Sequence, residues 1–148
     1  MGKRRYGGAE SEFAAVLRAM GRRATPARVD ILTALATERY PVSIRDLAAR
    51  VPAYDESTLH RSLETLEAAG LVKKIRSDPA RSRYEIEIGR PHHHHVTCTS
   101  CGAMEDVTGC VIDVSLHRLE GRLRTRRFSR ITDHSLEFFG LCKRCAPD

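Results

Sequence analysis

Asp55-Glu-Ser-Thr-Leu-His-Arg-Ser-Leu-Glu-Thr-Leu-Glu-Ala-Ala-Gly70, running straight into Leu71-Val-Lys-Lys-Ile-Arg76, decides how the first half of this chain folds. Leu59, Leu63, Leu66 and Ala69 recur at helical spacing, Asp55 supplies an N-cap oxygen, and Gly70 suits the residue that leaves the helix. The opposite face presents Ser57, Thr58, His60, Arg61 and Ser62. The segment therefore predicts a helix with an apolar inner stripe and a hydrogen-bonding outer face. Leu71 to Arg76 and Arg83 to Ile88 read as short strands, joined by Ser77-Asp78-Pro79-Ala80 with turn chemistry.

Working upstream, Ser43 followed three residues later by Asp46 makes a capping-box-like start for a short helix that Pro52 ends. Thr25-Pro26 offers an N-cap with proline at the first helical position, and Val29, Leu32, Leu35 and Ala36 form a stripe behind it. Ser11 to Met20 reads as another helix, with Phe13, Val16, Leu17 and Met20 at helical spacing and Gly21 as its stop. Short helices, a polar-faced helix and a hairpin follow in the order of a winged helix-turn-helix. In that fold the last helix enters the major groove and the hairpin lies beside the phosphates. Arg61 is the residue type that reads guanine bidentately, and His60 can donate to a base or a phosphate. Lys73, Lys74, Arg76, Arg81 and Arg83 charge the wing, and Arg22 and Arg23 precede the second helix. Taken alone, such charges also suit ordinary solvated faces.

The whole chain of 148 residues carries a formal net charge of +6, which favours a polyanionic partner without requiring one. At 41% hydrophobic and 30% charged it has the balance of a globular protein. No stretch approaches a membrane span, so a cytoplasmic protein is expected, where thiols stay reduced. Five cysteines, four of them in CxxC pairs, point there to metal before disulfides.

Gly89-Arg90-Pro91 breaks the pattern and reads as a hinge at 89–91, between a DNA-binding domain over 1–88 and a second domain over 92–148. The second domain predicts a β-β-α-β-β order. Its strands are His93 to Cys98, Met104 to Val107, Phe128 to Ile131 and His134 to Leu141, with a helix over Val111 to Leu123. The fold class expected for the whole chain is α+β. Cys98-Thr-Ser-Cys101 and Cys142-Lys-Arg-Cys145 each let two thiolates reach one ion from a tight turn, and together they close a tetrahedral structural zinc shell with no open position. Cys110 stands apart, as a small buried or capping residue. In an extended His92-His93-His94-His95, side chains alternate: His92 and His94 point one way, His93 and His95 the other. Each pair is half a site for Fe(II), Mn(II), Ni(II) or Zn(II), with Glu87, Asp106, Asp113 and His134 as possible completing ligands.

These pieces resemble the ferric uptake regulator family over nearly the whole chain. The similarity is carried by Ala24-Thr-Pro-Ala-Arg28, Ser57-Thr-Leu-His-Arg-Ser-Leu-Glu-Thr-Leu66, Ala69-Gly-Leu-Val72, His92-His-His-His-Val-Thr-Cys-Thr-Ser-Cys-Gly102 and His134-Ser-Leu-Glu-Phe-Phe-Gly-Leu-Cys142. The resemblance implies a homodimer formed through the second domain, gripping an inverted-repeat DNA operator when a regulatory metal is bound. It implies structural zinc on the four paired cysteines, and a regulatory Fe2+ or Zn2+ (or Mn2+ or Ni2+) on Glu87, His93, His95 and Asp106. It adds a further metal site on His92, His94, Asp113 and His134, in agreement with the strand alternation. The implied function is repression of metal-homeostasis genes, iron or zinc uptake foremost.

Three departures stand out. The family commonly offers a histidine just before the third helix, where this chain has Arg39-Tyr40-Pro41-Val42. Glu87 replaces the cysteine of many zinc sensors, and His60 replaces a usual tyrosine. A peroxide sensor using regulatory Fe(II) or Mn(II) is the competing regulator, disfavoured by the missing histidine. A zinc hydrolase is the competing enzyme; the four-cysteine shell leaves no open position and no HExxH motif occurs, so no enzyme is expected.

Overall fold

The computed structural model describes residues 9–78, 81–91, 93–108 and 136–146. His92, Cys110, Asp113, His134, the helix expected over 111–123 and the strand expected over 128–131 lie outside the described residues. The chain divides into two compact units at the Arg90–Pro91 junction.

The N-terminal unit contains α1 (Ala9–Ala19), α2 (Pro26–Ala36), β1 (Val42–Ser43), α3 (Ile44–Arg50), α4 (Glu56–Ala68), β2 (Val72–Asp78) and β3 (Arg81–Ile86). The expected caps set several of these bounds. Ser43 accepts from the Asp46 amide while the Asp46 carboxylate takes the Ser43 amide, a reciprocal capping box. Asp55 accepts from the Thr58 amide and starts α4, and Gly70 ends it at a φ of 70°, where a side chain would be strained. Thr25 takes the extended N-cap backbone, but its side chain makes no cap; Pro26 fixes the start of α2 instead.

Leu17, Ile31, Leu32, Leu35, Leu47, Leu59, Leu63 and Leu66 form the centre of the core, each at most 1% exposed. Two details differ from the sequence reading. Met20, placed on the inner stripe of α1, is exposed, because Leu17 already fills the position facing the core. Ser62, placed on the outer face of α4, is buried, since it lies between Leu59 and Leu66 at i+3 and i−4. The wing is an antiparallel sheet in the order β1-β3-β2, with a register shift between Arg76 and Asp78. This is a winged helix-turn-helix.

The C-terminal unit contains β4 (His94–Cys98), β5 (Met104–Val107) and β6 (Glu137–Gly140) in the order β5-β4-β6. β4 and β5 form an antiparallel hairpin closed by the first CxxC turn, whereas β6 runs parallel to β4. No helix among the described residues is long and apolar enough to cross a membrane. The architecture is α+β.

Candidate metal centres and DNA-reading face

The cysteine cluster is built by two turns that the sheet holds side by side. In the first, Gly102 donates its amide to the Cys98 carbonyl at 2.9 Å and adopts a φ of 71°, turning the chain back so that Cys98 can pair with Ala103. In the second, the amides of Cys145 and Ala146 both donate to the Cys142 carbonyl. The Thr99 amide donates to the Gly140 carbonyl at 2.8 Å and so ties the first turn to β6. Residues 41 positions apart thereby meet: Cys101 and Cys142 bring their sulfurs to 3.7 Å. The four Sγ atoms of Cys98, Cys101, Cys142 and Cys145 all lie within 4.8 Å of one another.

Electrostatics around the cluster favour thiolate at two corners. Amide donors, first from the Cys101 side and then from Cys142, pull the Cys98 thiol down to about 6, and the Cys142 amide reaches the Cys98 sulfur at 3.3 Å. Cys142 is lowered as well, chiefly by the Arg144 amide. The Ser100 hydroxyl pulls Cys145 down, but the thiols of Cys142 and Cys101, burial and Cys98 outweigh it and raise the group to about 11. Four sulfurs crowded this closely cannot all ionise without a cation among them. A tetrahedral zinc supplies that charge and accepts four soft donors, so the cluster fits the ion.

The histidine strand supplies the second donor set. Strand register places His95 opposite Asp106, and His94 and Val96 on the face that carries Phe138. The rings follow that pattern. His93 and His95 stand edge to face with centroids 4.9 Å apart, whereas His94 packs edge-on against Phe138 at 6.4 Å. His95 Nε2 lies 3.6 Å from an Asp106 carboxylate oxygen. His93 Nδ1 is 2.9 Å from the Pro91 carbonyl. A carbonyl can only accept, so Nδ1 carries the proton and the ligating lone pair falls on Nε2. One ring nitrogen of His93 lies within 4.8 Å of one of His95. All three histidines of 93–95 are buried. Two buried imidazoles with a half-buried carboxylate beside His95 make a nitrogen and oxygen donor set that fits a divalent transition ion.

Of the regulatory ligands implied by the resemblance, the structure sets His95 beside His93 and beside Asp106. Glu87 sits just past β3 in the N-terminal unit and is exposed. A buried carboxylate that the sequence reading did not single out is Glu85, only 3% exposed on β3, whose Oε2 accepts from Arg90 Nη1 at 2.7 Å. Arg90 also donates to the Arg39 carbonyl at 3.1 Å, on the stretch where the family histidine is missing. A basic residue five positions after a glutamate was the available signal for it. Of the additional site, only His94 falls among the described residues, and it faces Phe138.

The expected DNA contacts lie on the N-terminal unit. Ser57, His60 and Arg61 are exposed on α4 and Thr58 is half-buried beside them. Arg22 and Arg23 are exposed in the loop before α2, and Lys73 and Lys74 are half-buried on β2. Lys74 Nζ lies 5.9 Å from the centre of the Tyr84 ring, which steadies a cation on the wing. His60, Lys74, Arg83 and Arg45 line one cleft of about 570 Å3 between α4 and the wing.

Comparison with known proteins bears on the same features. The sequence pattern of the ferric uptake regulator family matches residues 19–139. Ferric uptake regulation protein 1 of Mycolicibacterium fortuitum is 35% identical over 105 residues, 69% of this chain and 65% of that protein. The ferric uptake regulation protein of Bacillus subtilis is 34% identical over 96 residues, 64% of this chain and 62% of that protein. The matched part thus spans a little under two thirds of these relatives. Among solved structures, the Helicobacter pylori ferric uptake regulator, with three functional metal-binding sites, superposes at a TM-score of 0.74 and 17% identity, covering 95% of this chain and 93% of that one. The Pseudomonas aeruginosa ferric uptake regulator with manganese gives 0.66 at 26% identity, covering 87% and 96%. The family match along 19–139, over a winged helix-turn-helix and the histidine strand that follows it, places this chain in the ferric uptake regulator family.

Proposed function

We propose that the protein is a metal-activated transcriptional repressor that binds an inverted-repeat DNA operator as a homodimer and governs iron or zinc uptake genes. The observation that carries the reading is buried His95, which meets the buried His93 ring on one side and the half-buried Asp106 carboxylate on the other. The four cysteines hold structural zinc and keep β4 in place, while His93, His95 and Asp106 take the regulatory ion. His92, His94, Asp113 and His134 form the additional site that the resemblance implies. Ser57, Thr58, His60 and Arg61 read bases, and Arg22, Arg23, Lys73 and Lys74 hold phosphates. Regulatory metal orders the chain around residues 89–91 before DNA is met, so that ordering no longer opposes operator binding; this is a population shift.

The test is operator binding by the full-length protein, titrated with buffered free Fe(II), Mn(II), Ni(II) and Zn(II). His93→Ala and His95→Ala are expected to abolish metal-dependent binding while tightly held zinc stays at one ion per chain by elemental analysis. Metal dependence unchanged in both variants refutes the role. The same titration settles the carboxylate added by the resemblance. Glu87→Gln is expected to raise the metal needed by about tenfold, the cost of losing a ligand. An unchanged metal requirement removes Glu87 from the site.

A further inference from the structure

The cleft beside the start of α2, about 680 Å3 in volume, is lined by Thr25, Arg28, Tyr54, Thr58, Arg61 and Thr65 among others. Arg28 is its half-buried cation, and its guanidinium is already engaged on two sides. Nη1 donates to the Arg23 carbonyl at 2.8 Å, and Nη2 donates to the Thr65 hydroxyl at 3.3 Å. Thr65 in turn donates to the Arg61 carbonyl at 2.9 Å, one turn back on α4. A continuous polar chain therefore runs from the loop bearing Arg22 and Arg23, through Arg28 and Thr65, to the residue expected to read bases.

We propose that Arg28 is a positioning residue for DNA binding: it fixes the backbone of the Arg22–Arg23 loop against α4. Exposed arginines on an untethered loop must be ordered when they meet phosphate, and that cost weakens binding. A planar guanidinium with two donors spent on protein acceptors holds the loop beforehand. The flexible ammonium of lysine cannot span the same two acceptors in one plane. The inference rests on the reading that this unit binds DNA.

The experiment is a double-mutant cycle on the metal-loaded full-length protein, using a duplex enriched from random DNA by the unaltered protein. Arg28→Met is expected to weaken binding about tenfold, the scale of one charge-assisted hydrogen bond. Thr65→Val, which deletes the hydroxyl that accepts from Arg28 and donates to the Arg61 carbonyl, is expected to weaken it about threefold, with Thr65→Ser restoring it. Both losses should vanish in an Arg22→Ala/Arg23→Ala background and persist in a Lys74→Ala background. Full cost of Arg28→Met without Arg22 and Arg23 would mean that Arg28 contacts DNA itself and overturns the proposal, as would normal binding by Arg28→Met. Should Arg28→Met melt early, the Thr65→Val arm alone decides by the same cycle. Failure of the unaltered protein to enrich any duplex would instead sink the DNA-binding reading.

Discussion

Among the described residues, the two units bury opposite kinds of side chain. In the N-terminal unit fifteen of the described hydrophobic residues form one buried cluster, from Leu17 on α1 to Ile86 on β3. In the C-terminal unit the buried side chains among the described residues are His93, His94, His95 and Cys98. The first unit is held by apolar area removed from water, a force spread over many contacts and indifferent to any one solute. The second gathers groups that are costly to bury unless something coordinates them. Among the described residues, then, one unit rests on apolar contacts shared by many side chains, and the other buries groups that call for a coordinating ion.

The sharpest way to break that contrast is to remove the ion. A cross-link closing a loop of 41 positions constrains the unfolded chain by about 4 kcal/mol, and zinc–thiolate binding adds roughly 10 kcal/mol or more. Cys142→Ser, or prolonged chelation of the reduced protein, is therefore expected to unfold the C-terminal unit while the N-terminal helices keep their own melting transition. Elemental analysis with thermal circular dichroism checks it; a zinc-free variant that melts like the parent would remove the contrast altogether.

The converse lesion is smaller and acts on the other unit. Leu63→Ala opens a hole in the aliphatic cluster and should cost about 2–5 kcal/mol in urea unfolding of the N-terminal unit. Zinc content should stay at one ion per chain. Loss of zinc in this variant would show that the cysteine cluster leans on the apolar core.

The smallest effect sharpens the description of the first unit. Ser43→Ala breaks the capping box of α3 and should cost about 1 kcal/mol at neutral pH. The Ser43 hydroxyl is the main cause that holds the Asp46 carboxyl below its ordinary range. A carboxylate lowered by folding contributes stability above its unfolded pKa, and that contribution fades as pH falls through its folded value. The difference between parent and variant should thus shrink below about pH 4, as urea midpoints at neutral and acid pH would reveal. A difference independent of pH would mean that Asp46 takes no part.

Legibility in the sequence followed how local each feature is. The bounds of α3 and α4 were readable because Ser43, Asp46, Asp55 and Gly70 act within one turn of themselves. Ile31 was missed on α2 because that helix buries Ala27, Val29, Ile31, Leu32 and Leu35, too broad an arc for one stripe. Glu85 was missed for a related reason. Two residues of β1 pair with Arg83 and Tyr84 and turn β3 into a central strand, and a two-residue strand leaves no periodicity to read. The alternation of His93, His94 and His95 was legible because it needs only a strand. The closeness of Asp106 needed the register of a hairpin, and the meeting of the CxxC turns needed a sheet neighbour from far along the chain.

The parallel pairing of β6 with β4 also fixes an order of events in biosynthesis. A parallel neighbour cannot arrive through a tight turn; it waits for a crossover to be made. On a chain emerging from the ribosome, β4 and β5 can close their hairpin first and present Cys98 and Cys101 as a half-finished clasp. Only when Glu137 to Gly140 has been translated can Cys142 and Cys145 shut it. Capture of an ion by all four thiolates therefore waits for the second CxxC turn, and a nascent chain starved of zinc is expected to leave β6 undocked from β4.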